Sequence, residues 1–66
     1  MGMVKQKIDL ENLLTPQELC ELLQVKISWL YRQVRERNIP FTKLGKYLRF
    51  YRPAIEKWLI ENQVNK

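Results

Sequence analysis

The sequence predicts a small, mainly α-helical domain that contains one β-hairpin, with its elements in the order α-α-β-β-α. The prediction rests on a helix-start motif at residues 15–18, a second amphipathic segment shortly after it, and a glycine turn at Gly45-Lys46. Two helices set this close are typical of a helix-turn-helix, and a hairpin after them is typical of its winged form. The 66 residues allow one domain with one hydrophobic core.

The folded domain is predicted to span residues 13–62. Residues 1–12 show no sustained periodicity, no turn chemistry and mixed charge, so we expect a flexible N-terminal arm there. Residues 63–66 are expected to form a short tail.

The first helix is predicted over residues 16–23. Thr15 and Glu18 have the spacing of a capping box, in which each side chain binds the backbone N–H of the other residue. Pro16 suits the first helical position. Leu14 and Leu19 have the spacing of a hydrophobic staple. The expected apolar stripe consists of Leu19, Leu22 and Leu23.

The second helix is predicted over residues 26–37, ended by Ile39-Pro40. A helical wheel places one set of apolar residues toward the core: Ile27, Leu30 and Val34. The opposite, outward face holds Ser28, Trp29, Arg32 and Arg35, with Tyr31 and Gln33 on its two flanks. An outward tryptophan is typical of a binding surface. The alternative is that Trp29 folds back over the N-terminal arm.

The hairpin is predicted from two short segments rich in aromatic and branched residues, 41–44 and 47–50, on either side of Gly45-Lys46. Alternation points Leu48 and Phe50 inward. The side chains expected to face outward are Lys43, Lys46, Tyr47 and Arg49. Such a hairpin suits a DNA-contacting wing, and it also suits a purely structural role in completing the core.

A third helix is predicted after Tyr51, with Pro53 in its first turn and Ile60 off its apolar stripe and exposed. Its apolar face is predicted to be Ile55, Trp58 and Leu59. Together with the earlier elements it completes one predicted core, made of Leu14, Leu19, Leu23, Leu30, Val34, Ile39, Leu48, Phe50, Ile55 and Trp58.

The charge is distributed unevenly along the chain. Residues 1–23 carry two basic and four acidic side chains, whereas residues 24–57 carry nine basic and two acidic ones. A basic excess on structured segments favours a polyanion as partner, and nucleic acid above all. A merely solvated basic surface is the alternative. RNA fits the predicted helix less well, because the major groove of A-form RNA is too deep and narrow for it.

Other functional classes find little support in the sequence. The chain has no histidine, its single cysteine, Cys20, lies among leucines and is expected in the core, and neither glycine belongs to a phosphate-binding loop. We therefore expect no enzymatic activity, no metal and no cofactor. No apolar run has the length of a membrane span, and the N-terminus does not resemble a signal peptide, so a cytoplasmic protein is expected.

The order of these motifs resembles the excisionase-type helix-turn-helix family, over roughly residues 13–60. The segments that carry the resemblance are Leu14-Thr15-Pro16-Gln17-Glu18-Leu19, Leu30-Tyr31-Arg32, Ile39-Pro40, Gly45-Lys46, Arg49-Phe50 and Ala54-Ile55-Glu56-Lys57-Trp58-Leu59. The resemblance implies a MerR-like winged helix whose second helix enters the major groove of DNA and whose wing touches the neighbouring minor groove or backbone. Members of the family are recombination directionality factors of mobile elements, or small transcriptional regulators.

Three positions depart from the family pattern. Lys26 stands where the family often has a Ser-type helix cap, and Trp29 replaces a small residue on the groove-facing surface. Tyr47 stands where the wing often has a basic residue, which exchanges charge for stacking or a sugar contact.

From the predicted faces we assign two groups of DNA-contacting residues. The groove contacts are Ser28, Trp29, Arg32 and Gln33, because Arg pairs with guanine and Gln with adenine. The backbone and wing contacts are Lys26, Tyr31, Arg35, Lys43, Lys46, Tyr47 and Arg49. Arg37 and Arg52 are expected to be solvent-exposed charges without a contact role.

The expected partner is double-stranded DNA, and the expected role is that of an excisionase-like directionality factor. A small transcriptional regulator of a phage, plasmid or transposon is the alternative that the residues do not distinguish. One domain of this size covers few base pairs, so we expect several copies on adjacent sites or a protein partner such as an integrase. A third hypothesis is a protein-interaction module with a surface of Trp29, Tyr31 and Ile60.

Overall fold

The computed structural model describes residues 9–64, and these contain three α-helices, one short 3₁₀ helix and a three-stranded antiparallel sheet. The α-helices are α1 (Pro16–Leu23), α2 (Ile27–Arg35) and α3 (Arg52–Glu61). The strands are β1 (Leu13–Leu14), β2 (Thr42–Leu44) and β3 (Tyr47–Tyr51). The predicted winged helix-turn-helix order is confirmed, with β1 as an addition that the sequence did not indicate.

The residues before α1 are more regular than expected. Leu10–Asn12 form a 3₁₀ helix, which is capped by the Asp9 carboxylate accepting from the Glu11 N–H at 3.1 Å. The Asp9 N–H also donates to the Tyr51 hydroxyl at 3.3 Å. The prediction of a flexible arm for residues 1–8, and that of a tail for residues 65–66, lie outside the described residues.

Helix α1 begins as the sequence predicts. The Thr15 hydroxyl accepts from the Glu18 N–H at 3.1 Å, and the Thr15 N–H donates to the Glu18 carboxylate at 2.9 Å, which completes the capping box. Leu22 was predicted on the apolar stripe of α1, but it is 51 % exposed. Cys20 is buried in the core, as expected. Burial raises the pKa of the Cys20 thiol, because desolvation disfavours the charged thiolate.

The turn between α1 and α2 forms without a glycine. Gln24 adopts the left-handed conformation, with φ of 59°, and the Val25 N–H donates to the Cys20 carbonyl at 3.1 Å. Lys26 occupies the N-cap position of α2 but makes no side-chain hydrogen bond there, so the helix start lacks the side-chain cap that a serine would supply.

Helix α2 ends two residues earlier than the predicted 26–37. Arg37 takes the left-handed conformation, with φ of 59°, and its N–H donates to the Val34 carbonyl at 3.0 Å. The Asn38 N–H donates to the Gln33 carbonyl at 2.9 Å, which completes a Schellman-type end. The helix therefore stops before Pro40 has any influence on it.

Strand β3 lies in the middle of the sheet, between β1 and β2. It pairs with β1 through Leu14 opposite Phe50, and with β2 through Leu44 opposite Tyr47. The two-residue turn between β2 and β3 has a positive φ of 62° at Gly45, as a type II′ hairpin turn requires at that position. The predicted glycine turn is confirmed, and the strands differ from the prediction by one residue each.

The ten predicted core residues all belong to one cluster or pack against it. The largest fully buried side chains are Phe50, Leu19 and Leu30. The Trp58 indole N–H donates to the Asn38 carbonyl at 2.7 Å, which ties α3 to the loop after α2. Leu59 was predicted on the apolar face of α3, but it is 42 % exposed. Ile60 is exposed, as expected.

Within residues 9–64, each helix is too short or too polar to cross a bilayer.

The capping box is expected to stabilise the folded domain. Thr15→Ala removes the hydroxyl that satisfies the Glu18 N–H, so the free energy of unfolding should fall by about 1 kcal/mol. Urea denaturation followed by circular dichroism measures the change. Glu21→Ala on the exposed side of the same helix is the control and should have a much smaller effect. Equal losses for both variants would contradict a specific role of the cap.

Candidate nucleic-acid interface

The outward face of α2 is built from polar and basic side chains. Ser28, Tyr31, Arg32 and Arg35 are all exposed on it. They fall within about 100° of one another on a wheel of 100° per residue, so they form a single stripe along a helix of about 13 Å.

Two residues of α2 differ in burial from the sequence prediction. Trp29 was expected outward, but it is half-buried and packs against the core, next to Leu30. Ile27 was expected inward, but it is 41 % exposed. The inward side of the helix is therefore rotated toward Trp29, because burying the large indole removes more apolar surface from water than burying Ile27 would.

The uncovered part of Trp29 belongs to a depression at the start of α2. This depression has a volume of about 490 Å³, and Lys26 and Arg32 line it together with Trp29 and Ser28. The arrangement brings a hydroxyl, two cations and part of an indole ring to the same depression. Of the four predicted groove contacts, three come together here, whereas Gln33 is half-buried and lies apart from the depression.

A second groove runs between the end of α2 and the hairpin. Its volume is also about 490 Å³, and its apolar lining is Val34, Phe41 and Leu48. Four cations line it as well, and among the described lining residues none is acidic. We call this the cationic groove; its charged residues are Arg35, Arg37, Lys43 and Lys46.

The cationic groove brings together three residues that the sequence predicts as backbone contacts, Arg35, Lys43 and Lys46. It adds Arg37, which was expected to be a solvent-exposed charge without a contact role. Arg37 is exposed, but its left-handed backbone places it at the groove rim beside Arg35. If α2 continued to residue 37, Arg37 would lie on a different side of the helix from Arg35. Helical periodicity therefore could not predict that Arg37 lines this groove.

The hairpin has two distinct faces, because residues directly opposite each other in a ladder share a face. Lys43 lies opposite Leu48, which packs on the core, so Lys43 belongs to the inner face that borders the cationic groove. This corrects the prediction that grouped Lys43 with Tyr47 and Arg49 on one outer face. Leu44 and Tyr47 lie opposite each other on the outer face.

Arg49 is more engaged than its predicted role as a backbone contact suggests. Its guanidinium donates to the Leu48 carbonyl at 2.7 Å and lies 5.7 Å from the centroid of the Tyr47 ring. The side chain is half-buried. Arg49 is therefore held in place by the protein itself.

Ion pairing does not neutralise the cationic groove within the part of the chain that the structure describes. In residues 9–64 the salt bridge found joins Arg52 and Glu56, at 3.6 Å on α3. Four like charges around one groove repel one another, and an external polyanion relieves that repulsion. The groove therefore has the electrostatics of a phosphate-binding surface.

The comparisons with known proteins agree with the architecture. A family model described as a helix-turn-helix domain matches residues 13–63, which include every strand and α-helix of the described structure. No match was found among the curated proteins or among the solved structures.

The left-handed backbone of Arg37 is expected to reduce the stability of the fold. Arg37→Gly removes the clash of a Cβ atom in the left-handed region, so the free energy of unfolding should rise by about 1 kcal/mol. Arg37→Ala, which removes the same charge and keeps the Cβ atom, is the control. Thermal and urea unfolding of both variants measure the difference. A gain that is equal in the two variants would show that charge repulsion, and not backbone strain, is what the substitution relieves.

Proposed function

The chain belongs to the helix-turn-helix domain family, and we propose that it binds double-stranded DNA in a sequence-specific manner. Helix α2 would read the major groove, and the hairpin would act as a wing on the backbone and the minor groove. The observation that carries the proposal is the continuity of positive charge from the outward face of α2 into the cationic groove, with Arg35 common to both.

The phosphate contacts follow from this continuity. A strand of the DNA backbone lying in the cationic groove would meet Arg35 and Arg37 from the helix side, and Lys43 and Lys46 from the hairpin side. Lys26 would reach a phosphate at the other end of α2, next to the uncapped first turn of the helix. Contacts of this kind fix the position of the protein on the duplex without carrying sequence information.

The base contacts would come from the exposed stripe of α2. Arg32 is exposed and beside Ser28 in the first depression, and its guanidinium suits the two acceptors of a guanine edge. Trp29 contributes only the part of its ring that the core leaves uncovered. Gln33 is half-buried, so we assign it a smaller part in base readout than its neighbour Arg32.

At a finer level, we propose an excisionase-like recombination directionality factor of a mobile element, acting in the cytoplasm. The motif order from Leu14 to Leu59 supports this role. Since α2 is only about 13 Å long, one copy reads few base pairs. Several copies on adjacent sites, or an integrase bound beside it, would supply the remaining specificity.

The charge dependence of binding tests the coarser proposal. Fluorescence anisotropy of a labelled mixed-sequence duplex, titrated over a salt series, should give an affinity that falls steeply as salt rises. Arg32→Ala combined with Lys46→Ala should weaken binding and reduce the slope of log affinity against log salt by about one to two.

The matched control is Arg52→Ala combined with Lys57→Ala on α3, which lowers the net charge by the same two units. If the control weakens binding as much as the test variant, binding follows net charge alone and the assigned interface is wrong. If the wild-type protein does not bind the duplex even at low salt, the proposed function is wrong, and a protein-interaction surface becomes the better hypothesis.

Arg37 gives an independent test of the cationic groove. Arg37→Gly should bind the same duplex several-fold more weakly at low salt and lower the salt slope by about one, although the fold becomes more stable. Opposite signs for stability and binding would identify Arg37 as a contact residue. Unchanged binding with raised stability would remove Arg37 from the interface.

A further inference from the structure

The outer face of the hairpin carries a pair of exposed apolar side chains. Leu44 is 50 % exposed and Tyr47 is 56 % exposed, and they lie directly opposite each other across the Gly45-Lys46 turn. The two side chains therefore form one apolar edge at the tip of the wing, which we call the Leu44–Tyr47 edge. The cationic groove borders the inner face of the same hairpin, and Lys46 in the turn lines that groove as well.

Two cations accompany this edge. The Lys46 ammonium lies 5.6 Å from the centroid of the Tyr47 ring, and the Arg49 guanidinium lies 5.7 Å from it. Both distances are within the range of cation–π attraction, which holds positive charge against an exposed ring. An apolar protein surface would have to desolvate these cations, whereas a cleft walled by phosphates would attract them.

The position of the edge relative to the groove indicates which cleft it meets. In a duplex, each phosphate strand separates the major groove from the minor groove. With α2 in the major groove and a strand in the cationic groove, the far side of the hairpin lies toward the minor groove. This step rests on the proposed function.

We propose that the Leu44–Tyr47 edge enters the minor groove and opens it, and that the wing thereby selects duplexes whose base-pair steps deform easily. The minor groove of B-DNA is only about 6 Å wide, so a leucine and a tyrosine side by side widen it on entry. Apolar side chains inserted in this way unstack base steps. TA and CA steps permit this at low cost, whereas A-tracts are stiff and have a narrow minor groove.

The proposal adds a readout that hydrogen bonds do not supply. The Leu44 side chain has no hydrogen-bonding group, and the Tyr47 hydroxyl both donates and accepts, so neither matches one fixed pattern of donors and acceptors. Selection arises from the energy of deforming the duplex, which depends on its sequence at positions where no base edge is recognised. Leu44 becomes a specificity-determining residue in this scheme, although no charge or polarity in the sequence points to it.

Competition between two labelled duplexes of equal length and charge tests the proposal. One duplex contains TA and CA steps at regular spacing, and the other contains A-tracts. The wild-type protein should prefer the first duplex several-fold, and 2-aminopurine placed at its TA steps should brighten on binding as the steps unstack.

Leu44→Thr combined with Tyr47→Thr removes the apolar edge, keeps residues that favour strands, and leaves the net charge unchanged. The preference should fall toward one and the 2-aminopurine signal should be lost, while the salt slope stays close to that of the wild type. Leu44→Thr alone is the fallback if the double variant loses its native circular dichroism. The matched control is Leu22→Gln combined with Ile60→Gln, which removes two side chains that are 51 % and 66 % exposed on the helices.

The outcomes separate the two proposals. If the wild-type protein binds both duplexes equally and no step unstacks, the wedge is wrong while the proposed function stands. If the edge variant keeps the preference of the wild type, or the control loses it, Leu44 and Tyr47 are not its cause. If the wild-type protein binds neither duplex at low salt, both proposals fall together.

Discussion

Burial of Phe50 is the interaction on which the rest of the fold depends. Phe50 is fully buried, and its strand β3 lies between β1 and β2 in the sheet. Because β3 pairs with both neighbours and continues directly into α3, one side chain fixes the hairpin, the N-terminal strand and the last helix against the same core. A domain this small has no second core to compensate for its loss.

The same core sets the distance between the reading helix and the wing. Leu30 and Val34 of α2 pack on it from one side, and Leu48 of the hairpin packs on it from another. The cationic groove lies between these two elements, and its apolar lining is continuous with the core through Val34, Phe41 and Leu48. The charged side chains of the groove therefore surround apolar residues that the core holds in place. Repulsion among the four cations, and the left-handed backbone of Arg37, which is one of them, both oppose folding of the free protein, which is typical of a surface kept for a ligand.

Several features of the fold could be predicted from the sequence because they depend on neighbouring residues. The capping box needs only Thr15 and Glu18, and the hairpin turn needs only Gly45 at a position with positive φ. The predicted core residues were correct because their apolar character and spacing were strong enough to outweigh errors at the element ends.

Other features depend on contacts between distant parts of the chain, and the sequence did not indicate them. Strand β1 has two residues, and only its pairing with β3 defines it. The rotation of α2 that buries Trp29 and exposes Ile27 is decided by the shape of the core, since a helix of nine residues has too few apolar positions to fix its inward face. The end of α2 was placed too late because Pro40 is a visible stop signal, whereas a left-handed Arg37 is not. The position of Arg37 on the groove follows from that single conformation.

The most direct test of the central claim is a map of the amides that respond to DNA. An NMR titration of ¹⁵N-labelled protein with a short mixed-sequence duplex would give that map without any substitution. If α2 and the hairpin bind DNA, the largest shift changes will lie along residues 26–37 and 43–49, with α1 and the exposed side of α3 almost unchanged. Changes centred on α1 and on Leu59 and Ile60 of α3, with little effect at the cationic groove, would contradict that claim.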